Sequence, residues 1–356
     1  MREFEEYKRL GEPDALEKSL IWQTAIGLQQ ADHLTPSKYL IETAKKNIEG
    51  KISISEVKER LDAYYKTQPA SPPEDRTEEA DKVSARITEV LGEKTFSFGL
   101  AEYLAIHRRL FTGILSDLTA GKIRTYNVSK PEAVLNGESV FYSGADIIKA
   151  TLEHDFEQEK KFNYRGLSKR EIAEHVAKFT SGIWQIHAFG EGNTRTTAVF
   201  IIKYQRTRGV KNVGNDLFAE NSLYFRNALV RANYDDYVNN VHSTMEYLHR
   251  FFGNLLLGEN NALDNREMRI DTGTTTQKPP GKHPKNTRKT PGKHPENTRK
   301  ILNTLALNPF ASRQELAKKL EMTEDKVRWD MNKLRKSGKI QRVGPDKGGY
   351  WKIMLI

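Results

Sequence analysis

The nine residues from His187 to Arg195 hold most of the chemistry this sequence can offer: His187-Ala188-Phe189-Gly190-Glu191-Gly192-Asn193-Thr194-Arg195, followed by Thr196. An imidazole with an ordinary pKa near ~6.5 accepts a hydroxyl proton at neutral pH. Glu191 is a hard oxygen ligand, suited to a Mg²⁺ shared with phosphate oxygens. Gly190 and Gly192 let the main chain approach an anion closely. Asn193 and Arg195 can hold phosphate oxygens, the arginine as a planar fork. Phe189, between polar neighbours, is expected to anchor the turn in the core. Two helices must position this set. Ser168 to Ile186 places Ile172, Val176, Phe179, Ile183 and Ile186 at helical spacing, and Thr194 to Arg206 reads as a second helix with a β-branched apolar face. The turn therefore delivers its N–H groups to a helix N-terminus, where unpaired donors and partial positive charge favour a phosphate. The competing reading is a plain helix–turn–helix corner with a buried histidine and a surface Glu–Arg pair; the completeness of the set disfavours it.

The segment resembles the Fic signature, H-x-F-x-[DE]-G-N-G-R-x-x-R, in a variant reading GNTRT, and the resemblance runs from about Phe96 to Gly258. It includes Gly121-Lys122-Ile123-Arg124-Thr125-Tyr126-Asn127 and the later Tyr224-x-x-x-Ala228-Leu229-x-x-Ala232-Asn233. The resemblance implies an all-α catalytic fold that transfers AMP from ATP to a protein hydroxyl. It assigns His187 as general base and Glu191 as Mg²⁺ ligand. Gly192, Asn193 and Arg195 are then to hold the phosphates, with Gly190 and Thr194 in the same nucleotide-binding loop and Asn233 near the adenosine end. Three positions depart from the pattern. Ala188 replaces the common Pro, at a cost in loop rigidity more than in chemistry. Thr194 replaces the usual Gly; the Doc branch, which transfers a phosphoryl group, has Lys there. Ala198 stands where many members carry a second Arg that clamps the γ-phosphate, and nucleotide orientation decides which phosphorus meets the nucleophile. AMP transfer is favoured because Glu191-Gly192-Asn193 is intact and position 194 is not Lys. Doc-like phosphotransfer or another nucleotide transfer stays open, as does a DNA-binding regulator with a nucleotide-sensing or inactive Fic part.

Residues Ala133 to Tyr142 form two short apolar runs joined by Asn136-Gly137, a hairpin signal. An isolated hairpin must pack on something. Fic proteins carry such a flap over the catalytic loop, where it holds the target segment by strand addition. Val140, Phe141, Tyr142 and Ser143 are then expected to line the nucleotide and target groove.

At 356 residues, two or three domains are expected. No apolar run approaches the ~18 residues of a membrane helix, and the acidic start Met1-Arg2-Glu3-Phe4-Glu5-Glu6-Tyr7 is unlike a signal peptide. A cytoplasmic protein is the expectation. Zero cysteines exclude disulfides, thiolate catalysis and Cys-ligated zinc, and the nine histidines show no HExxH spacing.

The net charge of +10 is uneven: residues 278–356 hold 20 Lys+Arg against 7 Asp+Glu, which leaves 37 basic and 40 acidic residues elsewhere. Such an asymmetry points to a polyanion-binding appendage on a nearly neutral enzyme. Residues 271–299 are poor in apolar side chains and rich in Thr, Pro, Gly and Lys, and a tandem duplication with an eleven-residue period, PGKHPKNTRKT then PGKHPENTRK, runs from Pro280 to Lys300. This reads as a spacer. From Lys300 a compact pattern begins. Ile301 to Leu307 starts a helix, Ser312 to Glu315 is a capping box for a second, and Thr323 caps a third carrying Val327, Met331 and Leu334 inward. A strand, a glycine-rich turn and a second strand follow. This resembles a winged helix-turn-helix, with Arg328, Asn332, Lys333 and Arg335 projecting from the recognition helix and Arg342 and Lys347 on the wing, a pattern suited to duplex DNA.

The first 70 residues are acidic-amphipathic and helical, with one helix at Leu20 to Gln30, a second opened by Thr35-Pro36-Ser37 and a third capped by Ser53. They resemble the VbhA-type antitoxin domain, in which an [ST]-x-x-x-E-[GN] helix blocks the Fic site by pairing its Glu with the second motif Arg. In the register that aligns Leu34-Thr35-Pro36, Asp32 takes the inhibitory position, while Glu49-Gly50 is the only intact fragment of the motif. With Ala198 in place of the partner Arg, the usual ion pair is not expected. The organisation is therefore 1–70 antitoxin-like module, 71–95 connection, 96–258 Fic core, 259–298 linker and 299–356 winged helix. The fold class is mainly α, with a hairpin flap on the Fic core and an α+β C-terminal domain. The oligomeric state stays open.

Overall fold

The computed structural model describes residues 4–10, 13–68, 72, 75–115, 119–208, 215–237, 239–270, 300–302, 304–305, 311–320, 322–336, 340–343 and 350–353. Two units divide the chain, the first reaching Gly273 and the second holding Thr274–Ile356.

The first unit is a helical assembly. Its elements are α1 (Glu5–Leu10), α2 (Pro13–Gly27), α3 (Lys38–Ile48), α4 (Ile54–Thr67), α5 (Thr77–Gly92), α6 (Leu100–Phe111), α7 (Ile148–Lys161), α8 (Lys169–Ile186), α9 (Asn193–Thr207), α10 (Asn215–Ala232) and α11 (Glu246–Phe252). Two of these helices start on complete capping boxes, Ser53 with Glu56 for α4 and Ser168 with Glu171 for α8. α9 is the central helix. All its side chains from Asn193 to Gln205 are buried, as befits a helix enclosed on every side. Phe98, Tyr103, Phe156, Phe179, Phe200 and Tyr204 pack ring against ring around it.

The N-terminal helices are built into this unit. One face of α2 places Trp22 and Ile26 in a small core with Phe4, Leu40, Ile48, Val57 and Leu61. The other face sends Ile21 and Ala25 into the main core. Gly27, the last residue of α2, lies against the α10 backbone so closely that a Cβ there would meet the Ala219 carbonyl oxygen at 2.2 Å. Only glycine permits that approach. A 3-10 turn, Leu28–Asp32, follows and is stopped by His33 in the left-handed region (φ 58°).

Two expectations are corrected here. The segment 133–142 is not a strand pair: Ala133–Leu135 is a 3-10 turn, and Asn136 (φ 55°) and Gly137 (φ 89°) complete a tight bend. Its arms are tied by the Glu132 N–H donating to the Glu138 carbonyl at 2.8 Å. The apolar residues turn into the core instead of pairing across, since Val134, Leu135 and Val140 are all buried. Residues 259–270, expected within the linker, pack on the first unit. After α11, a π-helical turn (Gly253–Leu257) and a 3-10 turn (Asn265–Met268) continue the packing. Met268 is fully buried, and the Ile270 N–H donates to the Val134 carbonyl at 3.1 Å.

The second unit has α12 (Arg313–Lys319), started by a Ser312–Glu315 capping box, and α13 (Glu324–Lys336). Strands β1 (Ile340–Val343) and β2 (Tyr350–Ile353) pair antiparallel with Ile340 opposite Ile353, the only sheet among the described residues. Ile301, Leu305, Leu316, Val327, Met331, Leu334 and Ile340 form its core. The helices and the strand pair make a small α+β unit with a core of its own. The duplicated spacer and Lys347 lie outside the described residues.

Candidate functional site

The site is the junction between α8 and α9. His187 caps the C-terminus of α8 in the left-handed conformation (φ 53°), which turns the chain sharply into the Gly-rich loop. A non-glycine residue held there signals a constraint from its surroundings. Arg124 supplies it. Its guanidinium donates to the carbonyls of His187 (2.7 Å), Tyr126 (2.5 Å) and Ser143 (2.6 Å), and its own N–H donates to the Ala188 carbonyl (2.9 Å). One buried cation thus fixes the His187 backbone to the segment that follows the 133–138 bend.

The His187 ring is 3% exposed and lies 3.9 Å from the Tyr142 ring, centroid to centroid. Neither ring nitrogen has a hydrogen-bond partner. Burial holds its pKa well below the ordinary value, reinforced by the charges of Lys130, Arg226 and Arg124. The imidazole is therefore neutral, with a free lone pair.

A second histidine, unmarked by any sequence signal, shapes the loop. His107 on α6 stacks on Phe189 at 3.6 Å, and its Nδ1 accepts from the Gly121 N–H at 2.8 Å. That bond assigns the ring proton to Nε2, which donates to the Glu191 carbonyl at 3.0 Å. Burial pushes the His107 pKa down to about 4, so this tautomer persists at neutral pH. Phe189 is fully buried, as its place in the loop suggested.

Gly192 is held to glycine by space and conformation, whereas a side chain at Gly190 would meet only the movable end of exposed Tyr126. A Cβ on Gly190 would meet the Tyr126 hydroxyl at 2.3 Å, and one on Gly192 (φ 76°) would meet the Phe111 ring at 2.4 Å. Asn193 does not point its side chain at an anion. Its amide donates to the Phe189 carbonyl (2.7 Å) and its oxygen accepts from the Phe189 N–H (3.0 Å), which closes the loop into a ring. The Thr194 hydroxyl accepts from the Trp184 indole at 3.0 Å. What the loop offers a phosphate is its backbone: Thr196 N–H is the first to bond within the helix, to the Gly192 carbonyl, so the N–H groups before it face outward from α9.

Glu191 is one-third exposed, with Lys130 Nζ 3.2 Å from Oε2 and the Gly192 N–H donating to Oε1 at 3.1 Å. No cluster of three metal-ligating side chains exists among the described residues. A single half-open carboxylate still suits Mg²⁺, which takes most of its ligands from phosphate and water.

Arg195 is fully buried in a chain of alternating charges. Arg76 grips Glu79 with two bonds (2.8 and 2.7 Å), and Glu79 accepts from Arg195 at 2.7 Å. Arg195 Nε lies 2.7 Å from Asp32 Oδ2, an ion contact off the hydrogen-bond line. Asp32 Oδ1 accepts from Arg226 at 2.5 Å, and Arg226 pairs with buried Glu132 at 2.9 Å. Gln29 Oε1 accepts from Arg195 at 2.9 Å. Burial works to raise the Asp32 carboxyl, but Arg195 and then Arg226 overcome it and hold it below the usual range. The usual pair with a second motif Arg is absent, as Ala198 implied, but two arginines that the linear motif did not point to hold Asp32. With Ala198 at the second motif position, Asp32 instead takes the first motif Arg and a second one from α10. Glu49, by contrast, caps the C-terminus of α3 with Tyr7 (2.8 Å) and Lys51 (2.7 Å) as partners, and stands apart from the loop.

Along the extended 138–143 segment, Gln185 donates to the Phe141 carbonyl at 2.6 Å. Phe141 is half exposed and Val140 is buried. Asn233, just past α10, donates to Ser181 Oγ and the Leu229 carbonyl, both at 2.8 Å. Sequence reasoning missed Arg124, Lys130, Glu132, Arg226 and His107. Arg124 and Arg226 lie inside stretches already singled out, but nothing in a linear pattern tells a clamp from a surface cation. In the second unit, Arg328, Asn332, Lys333 and Arg335 are exposed on α13 and Arg342 lies on β1.

Residues 97–204 match the Fic/DOC family, and residues 295–341 match the winged helix-turn-helix DNA-binding family. The chain thus carries a Fic/DOC domain and a C-terminal winged helix-turn-helix. No curated protein matches it. Similar solved structures include the N-terminal Fic domain of a VirB-translocated effector from Bartonella sp. AR 15-3, at 17% identity over 59% of this chain and 82% of that one, TM-score 0.33. Another is the N-terminal Fic domain of the Bep8 effector from Bartonella sp. 1-1C, at 16% identity over 60% and 86%, TM-score 0.32.

Proposed function

We propose that the protein transfers AMP from ATP to a Tyr, Ser or Thr hydroxyl of a target protein, that Asp32 holds the site closed, and that the C-terminal unit binds duplex DNA. The observation that carries the transfer reading is the neutral, unpartnered His187 imidazole at the head of the loop that carries Glu191 and opens α9. The hydroxyl oxygen attacks the α-phosphorus, the bond from that phosphorus to the β-phosphate bridge breaks, and pyrophosphate leaves. The hydroxyl proton passes to His187. The N–H groups of the first turn of α9 receive phosphate oxygens, and the Gly192 N–H joins them when Glu191 releases it. A bound Mg²⁺ would be held by Glu191 and would offset the charge that develops on the leaving pyrophosphate.

The phosphates of a nucleotide also act on the state of His187. Burial depresses its basicity most, followed by Lys130 and Arg226, and an anion beside those two cations would relieve only their share. Tyr142 covers the ring, so the target segment must displace it to reach the nitrogen. Asp32 sits between Arg195 and Arg226 where a phosphate would bring the same charge.

One observation keeps phosphoryl transfer as a second reading: Ala198 is buried without a cation, so no side chain there orients the terminal phosphate. ATP labelled at the α- or the γ-phosphate decides between them, using the full-length protein with a mixture of candidate proteins. Retained α-label supports AMP transfer, retained γ-label supports phosphoryl transfer, and neither label with intact ATP binding supports a nucleotide-sensing regulator.

A further inference from the structure

The solvent face of α13 is not purely polar. Val327, Met331 and Leu334 point into the core, whereas Arg328, Trp329, Asn332 and Lys333 face outward. Trp329 is 56% exposed, and the Lys333 ammonium stands 5.5 Å from its ring centroid. The other tryptophan of this unit is used differently: Trp351 packs on the core, with Arg342 5.1 Å above its ring. Trp329 has no such structural duty. A large aromatic in the middle of a cationic helix face is a contact residue awaiting a partner, and the surrounding charge selects a polyanion.

We propose that Trp329 is the apolar reading element of a duplex-DNA interface, resting on the assignment of this unit to DNA. With α13 in the major groove, the indole lies against a thymine methyl and the adjoining sugar, while Asn332 reaches a base edge. Arg328 and Lys333, at either side of the ring, take phosphates. The cation over the ring also holds the indole in one orientation before binding, which lowers the entropy lost on docking. An indole carries no charge, so its contribution is independent of salt, unlike that of its neighbours. That difference separates a reading residue from a phosphate contact.

The experiment is a titration of the full-length protein with a short mixed-sequence DNA duplex at two salt concentrations, followed by tryptophan emission and by anisotropy of a labelled duplex. Trp22 and Trp184 are fully buried, Trp351 is partly buried and Trp329 is the most exposed, so the emission lost in Trp329→Phe identifies the share that belongs to Trp329. Wild-type emission is expected to quench on binding, and Trp329→Phe to lose that quench while keeping most of the affinity. Trp329→Ala should weaken binding roughly tenfold or more at both salts with an unchanged salt slope, whereas Lys333→Ala should lower the slope by about one. Wild-type binding with no quench and an unaltered Trp329→Ala affinity overturns the role of Trp329 and leaves the DNA assignment standing. Absence of wild-type binding at low salt overturns both, and gives this face to an acidic protein surface.

Discussion

Asparagine at position 32 keeps the shape of the side chain and removes its charge, so Asp32→Asn isolates what the carboxylate does between Arg195 and Arg226. Breaking a buried ion pair by removing one partner costs about 3–5 kcal/mol when the survivor is left uncompensated. Here neither survivor is. Arg195 keeps Glu79 and Gln29, and Arg226 keeps Glu132. The loss should therefore fall below that range, at about 2–3 kcal/mol, the size of a charged hydrogen-bonded contact. The same contact opposes any phosphate that needs the two guanidiniums, because the carboxylate must leave first. Apparent affinity is reduced by the fraction of molecules in which it has left, and about 2–3 kcal/mol corresponds to roughly 30- to 150-fold. The substitution should thus lower stability and raise ATP affinity together. Urea unfolding and calorimetric ATP titration of the full-length protein measure both. A variant that loses stability but gains less than about threefold in affinity would show that phosphate does not compete for Asp32's place, and would refute the closed-site reading.

Three further outcomes follow from the same geometry. His187→Ala should reduce transfer by ~10²–10⁴-fold while ATP binding persists, because the ring makes no hydrogen bond that holds the loop; near-normal labelling removes it from the mechanism. His107 has a folded pKa of about 4 against an ordinary 6.5, so the unfolded chain binds its proton first as pH falls. Its stabilising contribution is complete above the ordinary value and is lost on acidification toward pH 4, by about 3 kcal/mol at 1.36 kcal/mol per unit. His107→Gln should flatten the decline of unfolding free energy with falling pH across that window, and an unchanged profile would mean that His107 is not held neutral. Lys130→Ala should strengthen Mn²⁺ binding in the presence of ATP by roughly an order of magnitude, since it removes the cation that now faces Glu191. Electron paramagnetic resonance of free Mn²⁺ reads this without turnover, and weakened binding would reassign Lys130 to the phosphates.

What the sequence made legible was local. The capping boxes at Ser53, Ser168 and Ser312 lie within four-residue windows, and each starts a helix where expected. The His187–Thr196 loop was equally readable, because its two flanking helices and its glycines announce a turn. What failed was anything that needed a distant partner. Asn136-Gly137 specifies a bend, and the bend is there, but whether its arms pair as strands depends on what lies beneath them. The core draws Val134, Leu135 and Val140 inward, so the ladder is never made.

Asp32 illustrates the limit most sharply. Its register was found from neighbouring residues, yet its contacts were not, because Ala198 had removed the one arginine a linear motif could name. The partners that replace it come from 163 positions along the chain, at Arg195, and from 194 positions along, at Arg226. Neither separation leaves a periodic trace. The fold supplies them through Gly27, whose missing side chain brings α2 onto α10 and sets the Leu28–Asp32 turn over the head of α9. A single backbone approach thus decides that a displaced acid can still close on the first motif arginine. It follows that changes at Gly27 should perturb the site as strongly as changes within the loop itself.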